Sequence, residues 1–303
     1  MVRVLICDHV EIERLSLGPS FEVDYKPTVS KEELLSIAGD YEVLIVRSRT
    51  KVDRDVLQSA KRLKLVARPG TGLDNVDVGY ARERGVTVVN SPESLVEAVA
   101  EQVVMVMLAL SRKLVQADVG TRSGKWEKNA LVGRELKGKA LGVVGFGRIG
   151  RRIAEVGKTL GMSILAYDVI AIPQDVLGTL GARVVSLDEL FSSADYITLH
   201  VPMTPDTAHM VDGSRIDRMK KGSVLVNTSR GGVVDEDALA AALREGRIGG
   251  AALDVFEKEP PTGAILSAPN AILTPHIGGQ TEEAQTNAIE VVGEKVRAFF
   301  KAP

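Results

Sequence analysis

Three ionisable side chains, Arg230, Glu259 and His276, are spaced 29 and 17 residues apart, and glycines or short apolar runs flank them. A guanidinium stays charged and grips a carboxylate through two parallel hydrogen bonds. An imidazole titrates near neutrality and so serves as a reversible proton carrier. A carboxylate beside that imidazole favours its charged form and fixes its tautomer. The set suits hydride transfer on a small anionic substrate held by the cation. Arg230 follows the apolar run 224–227 and precedes Gly231-Gly232, and His276 follows the run 272–274 and precedes Gly278-Gly279. Both positions fall where an open α/β sheet binds ligands, beyond the carboxyl end of a strand. His9, His200 and His209 lack this context and read as structural. Asp254 ends a run of its own and reads as a contact to the nicotinamide end of a cofactor or as a strand-end cap.

A hydride needs an acceptor, and the sequence supplies a place for one. Gly145-Phe146-Gly147-Arg148-Ile149-Gly150 follows the run 141–144 directly and opens a helical pattern through Ile153, Val156 and Leu160. In such a motif Gly145 allows the tight turn, Gly147 lets a pyrophosphate approach the backbone, and Gly150 lets helix and strand pack closely. The free N–H groups of the helix start favour the phosphates. Asp168 lies 23 positions after Gly145, at the end of the next apolar run. A carboxylate there accepts from ribose hydroxyls and repels a 2′-phosphate, while Val169 and Ile170 offer no cation. The expected cofactor is NAD rather than NADP.

The elements that position these groups alternate from end to end. Strands are expected at 2–7, 43–46, 63–67 and 86–89, with short helices at 31–38 and 54–60. Serine at 91 and proline at 92 read as the N-cap and first residue of a long helix that passes between domains. The polar stretch 121–139 reads as an irregular arm and subunit contact. A second series begins at 141–144 and continues through six further strands at 164–167, 183–185, 196–200, 224–227, 251–254 and 272–274, read as a doubly wound sheet. A last helix, 281–299, has no strand left to join and is expected to return to the first domain. The fold class is α/β, with two doubly wound parallel-sheet domains of Rossmann or flavodoxin type and a cleft between them. Residues 1–93 and 282–303 form the expected substrate-binding domain, and 94–281 the NAD-binding domain.

Bulk properties fit that reading. Of the 303 residues 45% are hydrophobic and 26% charged, and the net charge is −2. This balance offers neither a basic footprint for nucleic acid nor a polybasic membrane anchor. The longest apolar run, 103–110, falls far short of the ~20 residues of a membrane helix. The single cysteine, Cys7, excludes an internal disulfide and a zinc–thiolate cluster. No metal site, no signal peptide and a cytoplasmic setting are expected.

The segments Gly145 to Gly150, Asn227-Thr228-Ser229-Arg230-Gly231, Ala252 to Glu257, Glu259-Pro260 and Thr274 to Gly279 closely resemble the D-isomer-specific 2-hydroxyacid dehydrogenases. The resemblance implies catalytic roles for Arg230, Glu259 and His276 on a 2-hydroxy or 2-keto acid. It implies NAD contacts from Arg148, Ile149, Asp168, Val201, Thr228, Ser229, Arg230, Asp254 and His276, with Gly278, Gly279 and Thr71 nearby. Val46-Arg47-Ser48, Gly70 to Asp77 and Gly124-Lys125-Trp126 are similar to members that act on a phosphorylated acid. There the amides of Thr71 and Gly72 would hold the carboxylate, and Arg47 with Ser48 would meet the phosphate. Many such members carry a further serine-sensing domain that has no counterpart in this sequence, so feedback through it is not expected. The resemblance also implies a homodimer built on the helix after Pro92 and the arm before Lys139. Two other outcomes are compatible with these motifs: reduction of glyoxylate or hydroxypyruvate, and an NADH-sensing protein like the corepressors that share the fold.

Overall fold

The computed structural model describes residues 1–301. The chain divides into two units. One runs from Met1 to Val96 and resumes at Gly279, and the other spans Glu97–Gly278.

Among the described residues the first unit holds five parallel strands: β1 (Val2–Ile6), β2 (Phe21–Tyr25), β3 (Val43–Ile45), β4 (Leu65–Arg68) and β5 (Thr87–Asn90). Their spatial order is β2-β1-β3-β4-β5, the flavodoxin-like winding. Side chains alternate across the sheet, as the two-residue period of a strand requires. Leu5, Cys7 and Leu44 face a core closed by Leu34, Val56 and Leu57 from the flanking helices. Val4, Ile6, Ile45 and Leu65 face the other core, which Ile289, Val292 and Val296 of the Glu282–Lys301 helix complete. That three- and four-residue spacing is one stripe of a helix.

Strand β2 is absent from the sequence reading, and the reason is visible in its position. It pairs only with β1 at the edge of the sheet, so its apolar residues are half-buried and alternate with polar ones. The long helix also starts later than expected, at Val96 rather than at Ser91-Pro92. The Ser91 hydroxyl accepts from the Gly70 amide at 2.8 Å, so it fastens the neighbouring loop and caps no helix. The stretch 121–139 is irregular only in part. The Leu114–Arg122 helix ends within it, and a short 3-10 turn covers Lys128–Leu131.

Among the described residues the second unit holds seven strands, one at each run read from the sequence: β6 (Ala140–Val144), β7 (Ser163–Tyr167), β8 (Ala182–Val184), β9 (Tyr196–Leu199), β10 (Val224–Asn227), β11 (Gly250–Leu253) and β12 (Ala271–Leu273). They run in the order β12-β11-β10-β9-β6-β7-β8, the Rossmann winding extended by one strand. Val103, Val106 and Met107 of the Val96–Ser111 helix cover one face with Ile153 and Ala154, and Leu190, Phe191, Leu239 and Leu243 cover the other. Burial on both faces is what a parallel sheet demands. The winding reverses between β6 and β9, and ligands of such sheets bind beyond the strand ends at that point. Among the described residues no helix is long and apolar enough to cross a membrane.

One buried group makes this unit sensitive to acid. His200 follows β9 directly with its Nε2 2.8 Å from Thr198 Oγ1, and burial pushes its imidazole down to about 3. The unfolded chain takes up that proton near pH 6.5 and the folded chain does not. Stability is therefore intact above about pH 6.5 and falls as pH drops towards 3, by at most about 1.4 kcal/mol per unit from this group. Urea unfolding of the parent and of His200→Gln between pH 7 and 4 checks this. The variant's curve should be the flatter one, and equal slopes would remove His200 from the account.

Candidate active site

The turn after β6 is built for close approach. Gly145 adopts φ +90°, and a Cβ there would lie 2.4 Å from the His200 carbonyl oxygen and 3.1 Å from Val201 Cγ1. Only glycine fits both constraints. Val201 thus lies against the glycine turn at the point where the winding reverses. Gly147 precedes the Arg148–Thr159 helix, whose start has no side-chain cap, and a Cβ on Gly147 would meet open space. Uncapped N–H groups next to open space suit a pyrophosphate. Asp168 follows β7 directly and accepts from the amides of Phe146 at 2.6 Å and Ile170 at 2.9 Å. Each carboxylate oxygen retains acceptor capacity for a ribose hydroxyl. Val169 and Ile170 are exposed, and neither offers a charge for a 2′-phosphate. Thr228 Oγ1, just beyond β10, is buried and makes no hydrogen bond among the described residues. A buried polar atom of this kind needs a partner, and a cofactor amide or ribose supplies one. The residues present therefore fit NAD.

Arg230, Glu259 and His276 all belong to the second unit and follow the carboxyl ends of the adjacent strands β10, β11 and β12. His276 Nδ1 lies 3.1 Å from both oxygens of Glu259. The carboxylate accepts from Nδ1–H, which leaves the Nε2 lone pair to exchange a proton. His276 has φ +55°, a left-handed conformation that non-glycine residues adopt rarely. Strain of this kind persists only where the surroundings over-determine it. Asp254 does so here. Its buried carboxylate accepts from Thr274 Oγ1 at 2.5 Å, the Ile277 amide at 2.9 Å and the Gly278 amide at 2.7 Å. The sequence reading gives Asp254 as a contact to the nicotinamide end of a cofactor or as a strand-end cap. In the structure its oxygens hold the turn that carries His276.

Arg230 is placed by Asn227, a residue without solvent exposure. Asn227 Nδ2 donates to the Arg230 carbonyl at 2.9 Å, and its Oδ1 accepts from the Ser229 amide at 3.0 Å and hydroxyl at 2.8 Å. The Arg230 guanidinium donates to the Ser229 carbonyl at 2.6 Å.

The first unit carries the remaining expected residues. Thr71 Oγ1 is buried without a hydrogen bond among the described residues, and the Thr71 carbonyl accepts from Asn90 Nδ2 at 2.6 Å. The Arg68 guanidinium donates to the Gly72 carbonyl. Ser48 is exposed. Arg47 is half-buried, and desolvation pulls its pKa below the ordinary value. Its guanidinium donates to Gln285 Oε1, and Gln285 Nε2 donates to the Gly279 carbonyl at 2.7 Å.

Several residues of this scaffold were not read from the sequence. Asp8, at the end of β1, accepts from the Arg47 amide at 2.5 Å and from Thr50 Oγ1 at 3.0 Å, and Asn75 Nδ2 donates to the Arg47 and Thr50 carbonyls at 2.6 Å each. The strand-end rule that finds Arg230 and His276 finds Asp8 as well. No local signal marks Gln285, which is 238 residues from its partner Arg47.

Residues 104–278 match the family profile of the D-isomer specific 2-hydroxyacid dehydrogenase NAD binding domain. The chain is 44% identical over 304 residues to D-3-phosphoglycerate dehydrogenase of Methanocaldococcus jannaschii, covering 99% of this chain and 58% of that protein. It is 46% identical over 273 residues to hydroxypyruvate reductase of Thermotoga maritima, covering 88% of each. Among solved structures, D-lactate dehydrogenase from Aquifex aeolicus complexed with NAD and lactic acid superposes with a TM-score of 0.85 at 32% identity, over 99% of this chain and 95% of that one. The chain belongs to the D-isomer specific 2-hydroxyacid dehydrogenase family, and its cofactor is NAD. It spans little more than half the length of the phosphoglycerate dehydrogenases it matches.

Proposed function

We propose that this protein oxidises D-3-phosphoglycerate to 3-phosphohydroxypyruvate with NAD, a step towards serine, in the cytoplasm. The observation that carries the chemistry is the contact of His276 Nδ1 with both oxygens of Glu259 at 3.1 Å, on the sheet edge that also bears the glycine turn. Arg230 grips the substrate carboxylate and polarises C2, and the Thr71 and Gly72 amides assist. His276 Nε2 takes the C2 hydroxyl proton, and Glu259 stabilises the imidazolium that results. When bound, NAD would supply the acceptor for the hydride that leaves C2. We assign the phosphate to Arg47 and Ser48, because the Arg47 loop is fastened by Asp8 and Asn75 and presents a cation beside the exposed Ser48. The 40–44% identity to three phosphoglycerate dehydrogenases supports this substrate.

Steady-state kinetics with 3-phosphoglycerate, D-glycerate, hydroxypyruvate and glyoxylate test it. The phosphorylated acid should lead D-glycerate in kcat/KM by about 10²-fold or more, since a site built for a polar group rejects the analogue that lacks it. Arg47→Ala should erase that lead. A second reading, reduction of hydroxypyruvate, is favoured by the Thermotoga maritima relative, and a lead for that acid would overturn the first.

We also propose a homodimer. Met105, Leu108, Leu114, Val115 and Trp126 are exposed on the Val96–Ser111 and Leu114–Arg122 helices and the segment after them, an apolar face of the kind that subunits bury.

A further inference from the structure

A cluster beside the catalytic pair has no part in the steps above. Glu236 opens the Glu236–Arg244 helix that follows the Arg230 loop, with Asp235 as its N-cap. The Glu257 amide donates to Glu236 Oε1 at 2.5 Å, and the Glu236 amide donates back to Glu257 Oε1 at 3.3 Å. His209 Nε2 lies 3.1 Å from the same Glu257 oxygen, and the His209 amide donates to the Gly232 carbonyl at 2.8 Å. The two loops also touch backbone to backbone, since a Cβ on Gly231 would lie 1.8 Å from the Phe256 carbonyl carbon. Burial pushes the Glu236 carboxyl above its ordinary value, the Glu257 amide pulls against this, and the charge of Glu257 adds to the rise. Two carboxylates have thus been brought together at a cost, and the position they fix lies two residues before Glu259. Glu259 Oε1 itself faces the Phe256 amide at 3.4 Å.

We propose that Glu236 is a positioning residue: with Glu257 and His209 it braces the loop after β11 against the loops after β9 and β10, so that Glu259 stays seated on His276. The brace rests on the His276–Glu259 pairing argued above. It acts through reciprocal carboxylate–amide bonds, so the acceptor oxygen matters more than the charge. A glutamine at 236 retains that oxygen, whereas an alanine does not.

The test is a double-mutant cycle with Glu259→Gln, read by kcat with 3-phosphoglycerate and NAD and by kcat with hydroxypyruvate and NADH. Glu236→Ala should lower kcat roughly 3- to 10-fold with KM for the acid within about twofold, because a small misplacement of a catalytic group acts on the chemical step. Its kcat/KM–pH profile should move in the same direction as that of Glu259→Gln. Glu236→Gln should restore most of the loss. In the Glu259→Gln background Glu236→Ala should cost less than about twofold more, since no catalytic carboxylate remains to be placed. Full additivity in that background, or an unchanged kcat in folded Glu236→Ala, overturns the brace while leaving the pairing intact. Parental kcat in Glu259→Gln itself overturns the pairing and the brace together. Should Glu236→Ala fail to fold, Glu257→Ala is carried through the same cycle with the same expectations.

Discussion

Replacing His276 by asparagine should lower turnover by about 10²- to 10⁴-fold, the usual contribution of a positioned acid–base group, and leave the protein folded. Asparagine is the informative replacement because position 276 has φ +55° and asparagine tolerates that region, whereas alanine there carries about 1–2 kcal/mol of strain. The imidazole is largely exposed, so its loss opens no cavity. The Asp254 bonds to Thr274, Ile277 and Gly278 do not involve the imidazole and should hold the turn in place. Single-turnover and steady-state rates, alongside a thermal melt, separate chemistry from folding. A His276→Asn enzyme with near-parental turnover would take the proton-carrier role away from this residue.

Arg230→Ala should reduce kcat/KM by an amount comparable to breaking a buried charge pair, about 2–5 kcal/mol or roughly 30- to several thousand-fold. Arg230→Lys should recover only part of this, because an ammonium keeps the charge but not the planar fork that meets a carboxylate with two bonds. The loss should fall on both kcat and KM for the acid, with little change in KM for NAD. Asn227, through its bonds to Arg230 and Ser229, sets the geometry of this grip, and it is the side chain on which the loop depends. Equal kcat/KM in the parent and in Arg230→Ala would show that another cation holds the substrate.

Much of this arrangement is legible in the sequence. The glycine turn, the helix after it and Asp168 are neighbours in sequence, and strand-end positions are marked by the apolar runs that precede them, so local pattern suffices. Edge strand β2 was missed because a strand paired on one side needs fewer apolar residues to be stable. The sequence leaves Asp254 between a cofactor contact and a strand-end cap, because a carboxylate at a strand end looks the same whether it faces a ligand or the donors of the next loop. The brace of Glu236, Glu257 and His209 and the Arg47–Gln285 bond join distant segments, and nothing in either segment alone announces its partner.

The interruption of the first unit has a consequence for how the chain acquires its structure during synthesis. One core of the five-stranded sheet, begun by Leu15 and Leu17, is completed only when Ile289, Val292 and Val296 arrive, and these residues are made after the whole of the second unit. At the ~5–20 residues per second of translation, the face of Val4, Ile6, Ile45 and Leu65 stays only partly covered for on the order of ten seconds or more. The second unit, continuous from Glu97 to Gly278, can close its core in that interval. The unit whose two segments flank the other is therefore completed after it, although most of its strands are made before it.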